Sequence, residues 1–437
     1  MTLGNDFKEF CEDIVLDNRD TINTSINEIA KKLNSCYYEL ENEKESNMYV
    51  VGSVGRNTAI KGTSDVDLIF DLPQETYNKF NAYESNGQSA LLQEVKNYLK
   101  ERYPNTDLRG DGQVVVVEFV NYTVEVVPGF KQSDDSFKYP DSNDGGSWKK
   151  TDPLPEQDAS KACNENTYGN FENLCHMLRM WKNESGFKFG GLLIDTLVYD
   201  FFDDNDSYGE VGYKDYLDLV KEVFSYLKEQ DKDRSYWYAL GSNQQVNNTD
   251  NGKFVNKAQV AYDLLTEYDE ESAEINDKLI EIFGSKFPSS QEEYEQNSTA
   301  RAFKSYVDTE EFIEKKMPVD IRYNLRINCI VSQDGWRDQR LSVMLSLKSL
   351  LKVNKKLDFY IESTDALEPY DIYWKVRNVG AVAIQKDCIR GQIKKTNQSH
   401  KKESSDFRGK HYVECYLVQN GICIARARIE VPISSTI

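Results

Sequence analysis

The sequence of 437 residues has few of the residues that build metal clusters and disulfide frameworks. It contains three histidines and eight cysteines, and no cysteine stands in a CxxC or CxxH pair. This argues against a zinc site and favours ordinary buried thiols in a reducing compartment, so we expect a cytoplasmic protein. No run of about 18 apolar residues occurs, which excludes a membrane-spanning helix. The N-terminal segment MTLGNDFKEFCEDIVLD is acidic and does not have the pattern of a secretory signal.

Basic residues are also fewer than acidic residues. The chain has 53 Lys and Arg against 73 Asp and Glu, a net charge of −20. Because duplex nucleic acids are bound through many Lys and Arg contacts to phosphate, this composition argues against general duplex binding. The charge is unevenly distributed: Pro318 to Ile437 has 20 basic and 13 acidic residues, whereas residues 1–317 have 33 and 60. Residues 318–437 thus have a net charge of +7 and residues 1–317 a net charge of −27. This difference predicts a domain boundary near Pro318.

Hydrophobic periodicity divides the chain into three regions and predicts an α+β protein. Residues 1–165 mix helical and strand patterns, residues 166–317 are mainly helical, and residues 318–437 alternate as in a small β-sandwich. The aromatic residues Tyr236 to Tyr238 fall in the helical region. Strands are predicted near the N-terminal motif at Tyr49–Val51, Ser64–Phe70, Gln113–Phe119 and Thr123–Val127, the last ended by Pro128 and Gly129.

Acidic side chains at strand spacing form the main chemical motif. Gly52-Ser53 is followed by Asp65-Val66-Asp67, and residues i and i+2 of a strand point to the same face. Two nearby carboxylates repel each other unless a cation lies between them, and oxygen-only ligands suit Mg²⁺. The Gly-Ser turn offers backbone N–H groups and a hydroxyl for a phosphate. Glu125, on a separate strand, supplies a third acid, and this combination is typical of phosphoryl or nucleotidyl transfer.

Two plainer interpretations compete with this one. An isolated Asp-x-Asp at a strand start is usually solvated surface or a cap, and only the spacing to Gly52-Ser53 and to a later acid favours catalysis. Glu118 is the alternative third acid, which we interpret as an outward-facing strand residue.

With these motifs the sequence resembles the cGAS/DncV-like nucleotidyltransferases (CD-NTases, SMODS family) of the polymerase-β-like superfamily. The resemblance covers roughly residues 1–315 and implies a two-lobed core, with a catalytic lobe at 1–165 and a helical lobe at 166–317. It implies a bacterial enzyme of anti-phage signalling that joins NTPs, with Mg²⁺ or alternatively Mn²⁺, into a cyclic di- or trinucleotide. The matching segments are GSVGRNTAIKGTSDVD (52–67), VEVVP (124–128), PDSNDGGSW (140–148) and LCHMLRMWK (174–182).

The resemblance also assigns roles to single residues. Asp65, Asp67 and Glu125 would be the catalytic acids and metal ligands. The nucleotide would be contacted by Gly52, Ser53, Arg179, Lys182, Lys188 and Ser242, although a helical Lys is as often a solvated surface residue.

Two departures from the family pattern stand in this sequence. The third acid is Glu125 where Asp is commoner, which lengthens its reach by one methylene. Where relatives often have a Ser followed by an aromatic residue, this chain has Gly190-Gly191-Leu192. The residue that would stack on the nucleotide base is therefore unassigned. Tyr236 to Tyr238 and the loop at Ser242 are candidates for lining an acceptor pocket.

Residues 318–437 resemble the C-terminal sensor domain (AGS-C) of some of these synthetases, through segments 369–380, 389–393 and 409–416. We interpret Trp374 as sandwich core and His411 as a hydrogen-bonded structural residue. A cluster of basic residues predicts an anionic ligand or nucleic acid as partner, or docking on the acidic catalytic half of the chain. The alternative is a solvated charge set. The members of the cluster are Lys375, Arg377, Lys386, Arg390, Lys394, Lys395, Lys401, Lys402, Arg408 and Lys410.

The sequence therefore predicts a cyclic oligonucleotide synthetase with NTP substrates, a product-sensing effector protein and no membrane partner. One alternative is the transfer of a single NMP to RNA, a protein or a small molecule. The other is an inactive nucleotide-binding regulator, which would have no need of three converging acids.

Overall fold

A computed structural model describes residues 2–289, 310–333, 337–349, 351–378, 390–406 and 409–433. The chain divides into two compact units. The first unit comprises Thr2–Met180 and Phe189–Ser272, and the second comprises Trp181–Lys188 and Ala273–Ile437. Among the residues singled out from the sequence, Val379, Gly380, Lys386, Ile389 and Arg408 lie outside the described residues.

The first unit combines helices with a seven-stranded mixed sheet. Its helices are α1 (Leu3–Asp13), α2 (Arg19–Tyr38), α3 (Gly52–Gly55), α4 (Gln74–Asn81), α5 (Gly87–Arg102), α6 (Leu154–Asn166), most of α7 (Asn170–Ser185), α8 (Gly191–Asp204), α9 (Tyr216–Lys228) and α10 (Lys253–Thr266). Its strands are β1 (Met48–Val51), β2 (Asp65–Asp71), β3 (Asp107–Asp111), β4 (Val114–Glu118), β5 (Thr123–Lys131), β6 (Phe137–Asp141), β7 (Ser147–Thr151), and the separate hairpin β8 (Tyr236–Tyr238) and β9 (Gln245–Asn247).

The sheet has the order β1-β2-β5-β4-β3, with β6 paired to β5 and β7 paired to β6. Strands β2 and β5 run parallel, and the other neighbours are antiparallel. One face of the sheet buries alternate residues of β2 and β5 against α2 and α5. These fully buried residues are Val66, Leu68, Val124 and Val126. Because side chains alternate along a strand, the residues between them face the other side of the sheet.

Two local expectations were wrong. Strand β5 does not end at Pro128 and Gly129 but continues to Lys131. Pairing of β5 with β4 stops at Val126, and pairing with β6 begins at Phe130. Proline is tolerated in a strand where a ladder hydrogen bond is not needed, and Pro128 lies in that gap. The segment Tyr236–Tyr238 is a strand of a small hairpin rather than part of a helix.

The second unit contains two four-stranded antiparallel sheets, with the orders β11-β10-β12-β15 and β14-β13-β16-β17. One apolar cluster draws residues from both sheets, which confirms the predicted sandwich, and Trp374 is buried in it. The elements of this unit are α11 (Ile275–Phe283), β10 (Leu325–Ser332), β11 (Gln339–Arg340), α12 (Leu341–Ser346), β12 (Lys356–Thr364), β13 (Asp371–Arg377), β14 (Ile393–Lys395), β15 (His400–Ser404), β16 (Gly409–Gln419) and β17 (Ile422–Ile433).

The described cysteines carry free thiols, and all of them except the half-buried Cys36 are buried. Burial raises the pKa of the Cys11 thiol to about 12, with Glu12 adding to the effect, so this thiol stays protonated. The expectation of ordinary buried thiols is confirmed for these residues. None of the helices in the described ranges combines the length and the apolar composition that crossing a bilayer requires.

A buried ionic cluster links β13, β16 and β17 in the second unit. Glu414 accepts from Lys375 Nζ at 2.9 Å and from Arg426 Nη2 at 3.0 Å, and Tyr416 Oη donates to it at 2.8 Å. Arg426 Nη1 also donates to Glu184 of α7 at 2.8 Å. Burial alone would raise the pKa of Glu414, but Arg426 and Lys375 hold it at about 2. The cluster therefore keeps a buried carboxylate ionised.

We expect Glu414→Gln to lower the free energy of unfolding by about 3–5 kcal/mol, because the buried Lys375 and Arg426 lose their shared charge. Urea denaturation measures this. The matched control is Glu430→Gln on β17, whose ion pair with Arg428 is about half exposed (52% and 49%). An exposed pair contributes about 0–1 kcal/mol, so equal losses in the two variants would contradict the interpretation.

Candidate functional site

The register of β2 and β5 brings the three predicted acids to one face of the sheet. Asp67 lies opposite Glu125, and Asp65 lies opposite Thr123. The three carboxylates are half-buried, whereas the intervening Val66 and Val124 are fully buried on the other face. The sequence predicted this arrangement from the period of two in a strand.

The neighbours of these acids are polar groups of the same face. Thr123 Oγ1 donates to Asp65 Oδ1 at 2.9 Å, and Thr123 N donates to the Ser64 carbonyl at 2.7 Å. Glu118, the competing third acid, forms an ion pair with Arg109 Nη1 at 3.1 Å. Within the described residues, no group of three acidic, histidine or cysteine side chains could hold a metal ion in its present arrangement.

The Gly-Ser turn lies directly against Asp67. Strand β1 ends at Val51, which pairs with Asp67, and α3 begins at Gly52. Gly52 has a φ of +62°, and a Cβ built on it would lie 1.8 Å from Asp67 Oδ2. Both the backbone conformation and the close carboxylate therefore require glycine at this position.

Hydrogen bonds inside the turn fix its shape. The Ser53 carbonyl accepts from Thr58 N at 2.9 Å and from Ala59 N at 3.2 Å, and Arg56 N donates to the Gly52 carbonyl at 3.0 Å. Ser53 itself is half-buried. The turn is thus a preformed loop beside Asp67 rather than an open segment.

A buried charge network holds this turn to α7 and α8. Asp195 of α8, 0% exposed, accepts from Arg56 Nε at 2.9 Å and from Thr58 Oγ1 at 2.8 Å through Oδ2. Arg179 of α7 donates to Asp195 Oδ1 at 2.6 Å and to Oδ2 at 3.0 Å. Arg56 Nη1 also lies 3.3 Å from Glu156 Oε2. We call Arg56, Thr58, Glu156, Arg179 and Asp195 the arginine–aspartate network.

The charges in this network set the protonation of its acids. Burial would raise the pKa of Asp195, but Arg179 and Arg56 lower it to about 2, so Asp195 is ionised. For Glu156 burial is the larger effect, and its pKa is raised although Arg56 opposes the shift. Ser242 Oγ donates to Glu156 Oε1 at 3.1 Å.

Comparison with known proteins adds two domain matches and a common fold. The Second Messenger Oligonucleotide or Dinucleotide Synthetase domain (SMODS) matches residues 1–164, and the Adenylyl/Guanylyl and SMODS C-terminal sensor domain (AGS_C) matches residues 307–434. The N-terminal part of the chain is thus similar to SMODS domains, and the C-terminal part is similar to AGS_C domains. This order of the two domains is the one that the sequence motifs indicated.

A probable cyclic nucleotide synthase of Bacillus cereus is 24% identical over 205 residues, which cover 40% of this chain and 60% of that protein. The chain thus matches less than two thirds of this relative. The structure of CdnC with ATP from Escherichia coli MS115-1 has a TM-score of 0.50 at 16% identity, covering 66% of this chain and 99% of that one. Apo DncV of Vibrio cholerae has a TM-score of 0.44 at 12% identity, covering 56% and 69%. The likeness to CdnC confirms the nucleotidyltransferase fold.

The predicted nucleotide contacts are distributed over both units. Arg179 lies in the arginine–aspartate network, where its guanidinium also donates to the carbonyls of Cys175 and Gly191, both at 3.1 Å. Lys182 and Lys188 belong to the second unit, and Lys182 Nζ lies 3.4 Å from Asp320. The predicted role of each in binding the triphosphate stays a prediction. For Arg179 the structure also shows a different task, which is to neutralise Asp195.

The sequence interpretation missed Arg56, Thr58, Glu156 and Asp195 as members of the site. A signal for Asp195 was present, because it stands within the apolar stretch Leu192–Val198 of a helix. A carboxylate on such a face needs a buried cation or several donors. Arg56 lies in the motif of residues 52–67, but no pattern in the sequence indicated that its partner would lie on α8.

We expect Gly52→Ala, in the SMODS domain, to lower the free energy of unfolding more than the same substitution does at another glycine with positive φ. The matched control is Gly169→Ala, where φ is +92° and no atom lies within 4 Å of an added Cβ. The control should lose about 1–2 kcal/mol from backbone strain alone. Gly52→Ala should lose at least about 1 kcal/mol more, since Asp67 must also move. Equal losses in urea denaturation would contradict the close approach.

Asp195→Asn should lower the free energy of unfolding by about 3–5 kcal/mol at neutral pH, because two buried guanidiniums lose their shared carboxylate. The folded-state pKa of Asp195 is depressed, to about 2. Its contribution is therefore fully present above the pKa of the unfolded chain and is lost as the pH falls toward 2. We expect the difference from wild type, measured by urea denaturation, to be constant between about pH 5 and 7 and to shrink below about pH 4.

The control for that experiment is Asp200→Asn on the same helix. Burial, followed by the charges of Asp204 and Asp203, raises the pKa of Asp200 to about 6, so ionising it opposes folding. This variant should gain stability relative to wild type as the pH rises from about 4 to about 6, and the gain should be constant at higher pH. A pH-independent difference for Asp195→Asn would refute the proposed charge balance.

Proposed function

We propose that this protein joins nucleoside triphosphates into a cyclic di- or trinucleotide and releases pyrophosphate. The observation that carries the proposal is the pairing of Asp67 with Glu125 on one face of the sheet, with the Gly52–Ser53 turn against Asp67. The SMODS match and the similarity to a probable cyclic nucleotide synthase of Bacillus cereus support it. The CdnC structure holds ATP, which supports NTPs as the substrates.

The side chains of the site fit a hard divalent cation by their chemistry, and they would have to move closer together than in their present arrangement to hold it. Asp65, Asp67 and Glu125 offer only carboxylate oxygens, which are the ligands that Mg²⁺ prefers, and Mn²⁺ is the alternative. We assign these three residues to the metal. When bound, the ion would offset phosphate charge and lower the pKa of an attacking hydroxyl. The side chain of Glu125 is one methylene longer than that of Asp, so its carboxylate reaches farther from β5.

The residues of the chain would position the reacting groups. Backbone N–H groups of the Gly52–Ser53 turn and the Ser53 hydroxyl would hold the triphosphate of the donor NTP. A ribose oxygen of the acceptor would form a bond to the α-phosphorus, and the bond to pyrophosphate would break as the hydroxyl proton is lost. A second transfer within the linear product would close the ring. The product would then act on a product-sensing effector protein.

An anionic ligand or nucleic acid as partner of the AGS_C domain stays a prediction. Several of the basic side chains that suggested it are already paired with carboxylates. Lys375 and Arg377 pair with Glu310, Lys395 pairs with Asp371, and Arg390 and Lys401 pair with Glu403. Local pairing of this kind reduces the positive charge that a phosphate would meet.

Incubation with all four labelled NTPs and Mg²⁺, followed by phosphatase, tests the function. We expect small phosphatase-resistant products, because a closed ring has no terminal phosphate. Label on added RNA or on protein would instead show single-NMP transfer, and no product at all would show an inactive nucleotide-binding protein.

We expect Asp67→Asn and Glu125→Gln to reduce product formation about a hundredfold or more, since each removes a charge at the reacting phosphate. The matched controls are Asp71→Asn at the other end of β2 and Glu118→Gln on β4. Asp71 accepts from Lys131 N at 2.8 Å, and Glu118 pairs with Arg109, so both controls should stay near wild-type activity. Loss of activity in Glu118→Gln with retention in Glu125→Gln would reverse the assignment of the third acid.

A further inference from the structure

The sandwich of the second unit contains a cavity of about 130 Å³ between its two sheets. Its walls include Leu357 and Phe359 from one sheet, and Val376, Val413 and Val431 from the other. All of these except the half-buried Val376 are buried, and Phe359 is 1% exposed. The cavity opens to solvent at a rim that includes the exposed residues Ser404 and Asp406, so a small molecule can reach its apolar walls.

Polar side chains point into this apolar interior. On β16, His411 has the same orientation as Val413 and Cys415, which belong to the core, and it is 4% exposed. On the facing sheet, Glu403 of the edge strand β15 lies opposite Leu357, a core residue. Both His411 and Glu403 line the cavity. A cavity with apolar walls and a few convergent polar groups has the composition of a small-molecule site.

The charges around the cavity are unfavourable for phosphate. Its charged lining residues are Arg390, Glu403 and Asp406. Arg390 donates to both oxygens of Glu403, at 2.6 and 3.1 Å, so its charge is already neutralised. Asp406 adds a negative charge and accepts from Ser404 Oγ at 2.7 Å. An anion in this cavity would meet one paired cation and two carboxylates, whereas an uncharged molecule would meet hydrogen-bonding groups without repulsion.

The size of the cavity limits the ligand to about one ring. An apolar cavity of about 150 Å³ in another protein binds benzene, so 130 Å³ matches a single six-membered ring and not a nucleotide. We infer that this cavity binds an uncharged, single-ring heterocycle, with its flat faces against Phe359 and the valines and its polar edge toward His411 and Glu403. The site would make the AGS_C domain a sensor of a small neutral molecule, and it does not depend on the proposed synthetase activity.

Fluorine NMR on the full chain tests this with 5-fluorocytosine, a pyrimidine that is uncharged at neutral pH. Val376→Phe should fill the cavity from β13. The matched control is Ile372→Phe, four residues earlier on the same face of β13, because both residues pack against the sandwich core but only Val376 lines the cavity. Circular dichroism and the thermal midpoint show whether each variant is folded. Should Val376→Phe not fold, Val376→Leu would serve in its place.

We expect saturable binding of 5-fluorocytosine that Val376→Phe weakens about tenfold or more and that Ile372→Phe leaves within about twofold. Fluorobenzene, which has no polar edge, and cytidine triphosphate, which adds charge and bulk, should both bind this site more weakly. The inference is overturned if 5-fluorocytosine shows no saturable binding, or if Val376→Phe does not change that binding. It is also overturned if fluorobenzene binds more tightly than 5-fluorocytosine. A further contrary result is that cytidine triphosphate displaces the probe from this site at lower concentrations than cytosine does.

Discussion

The carboxylate of Asp195, shared by Arg56 and Arg179, is the interaction on which the candidate site depends. Taking one carboxylate and two guanidiniums out of water costs several kcal/mol per ion, and only close hydrogen-bonded pairing compensates that cost. Asp195 meets this condition with its contacts to Arg56, Arg179 and Thr58 between 2.6 and 3.0 Å. Because Arg56 and Thr58 directly follow the Gly52–Ser53 turn, the network fixes the turn relative to α7 and α8.

Steric contact imposes a second constraint on the same turn. Asp67 Oδ2 occupies the space that a side chain at position 52 would need, so the first residue of the turn and the second acid determine each other. The acids themselves follow from strand geometry, since residues two apart share a face and parallel neighbours lie about 4.8 Å apart. A short segment of sheet can thus present three carboxylates and a glycine-serine turn while its opposite face remains ordinary core. The nucleotide substrates that we propose are therefore compatible with a net charge of −20, because the acids would meet the phosphates through a cation.

In the second unit, charge has a structural use that composition could not reveal. The excess of basic residues suggested a positively charged binding face, but Lys375 and Arg426 are buried around Glu414, on the face of their sheet that points away from the sandwich core. Arg390 likewise pairs with Glu403 at the cavity. Since paired charges produce little field beyond their neighbours, the net charge of a segment does not predict its ligand. The inward His411 and Glu403 are more informative, because an apolar interior retains polar groups only when they are satisfied or used.

Local patterns determined much of this protein from the sequence alone. The alternation around Asp65 and Asp67, the turn at Gly52 and the strands of the sandwich were predicted correctly, because each depends on residues close together in the chain. Pairing between distant segments was decided only by tertiary structure. The partner of Arg56 lies 139 residues away on α8, and the continuation of β5 through Pro128 depends on where β4 and β6 leave a gap. A single sequence has no local signal for such contacts, since many acidic residues could neutralise a given arginine and only the packed fold selects one of them.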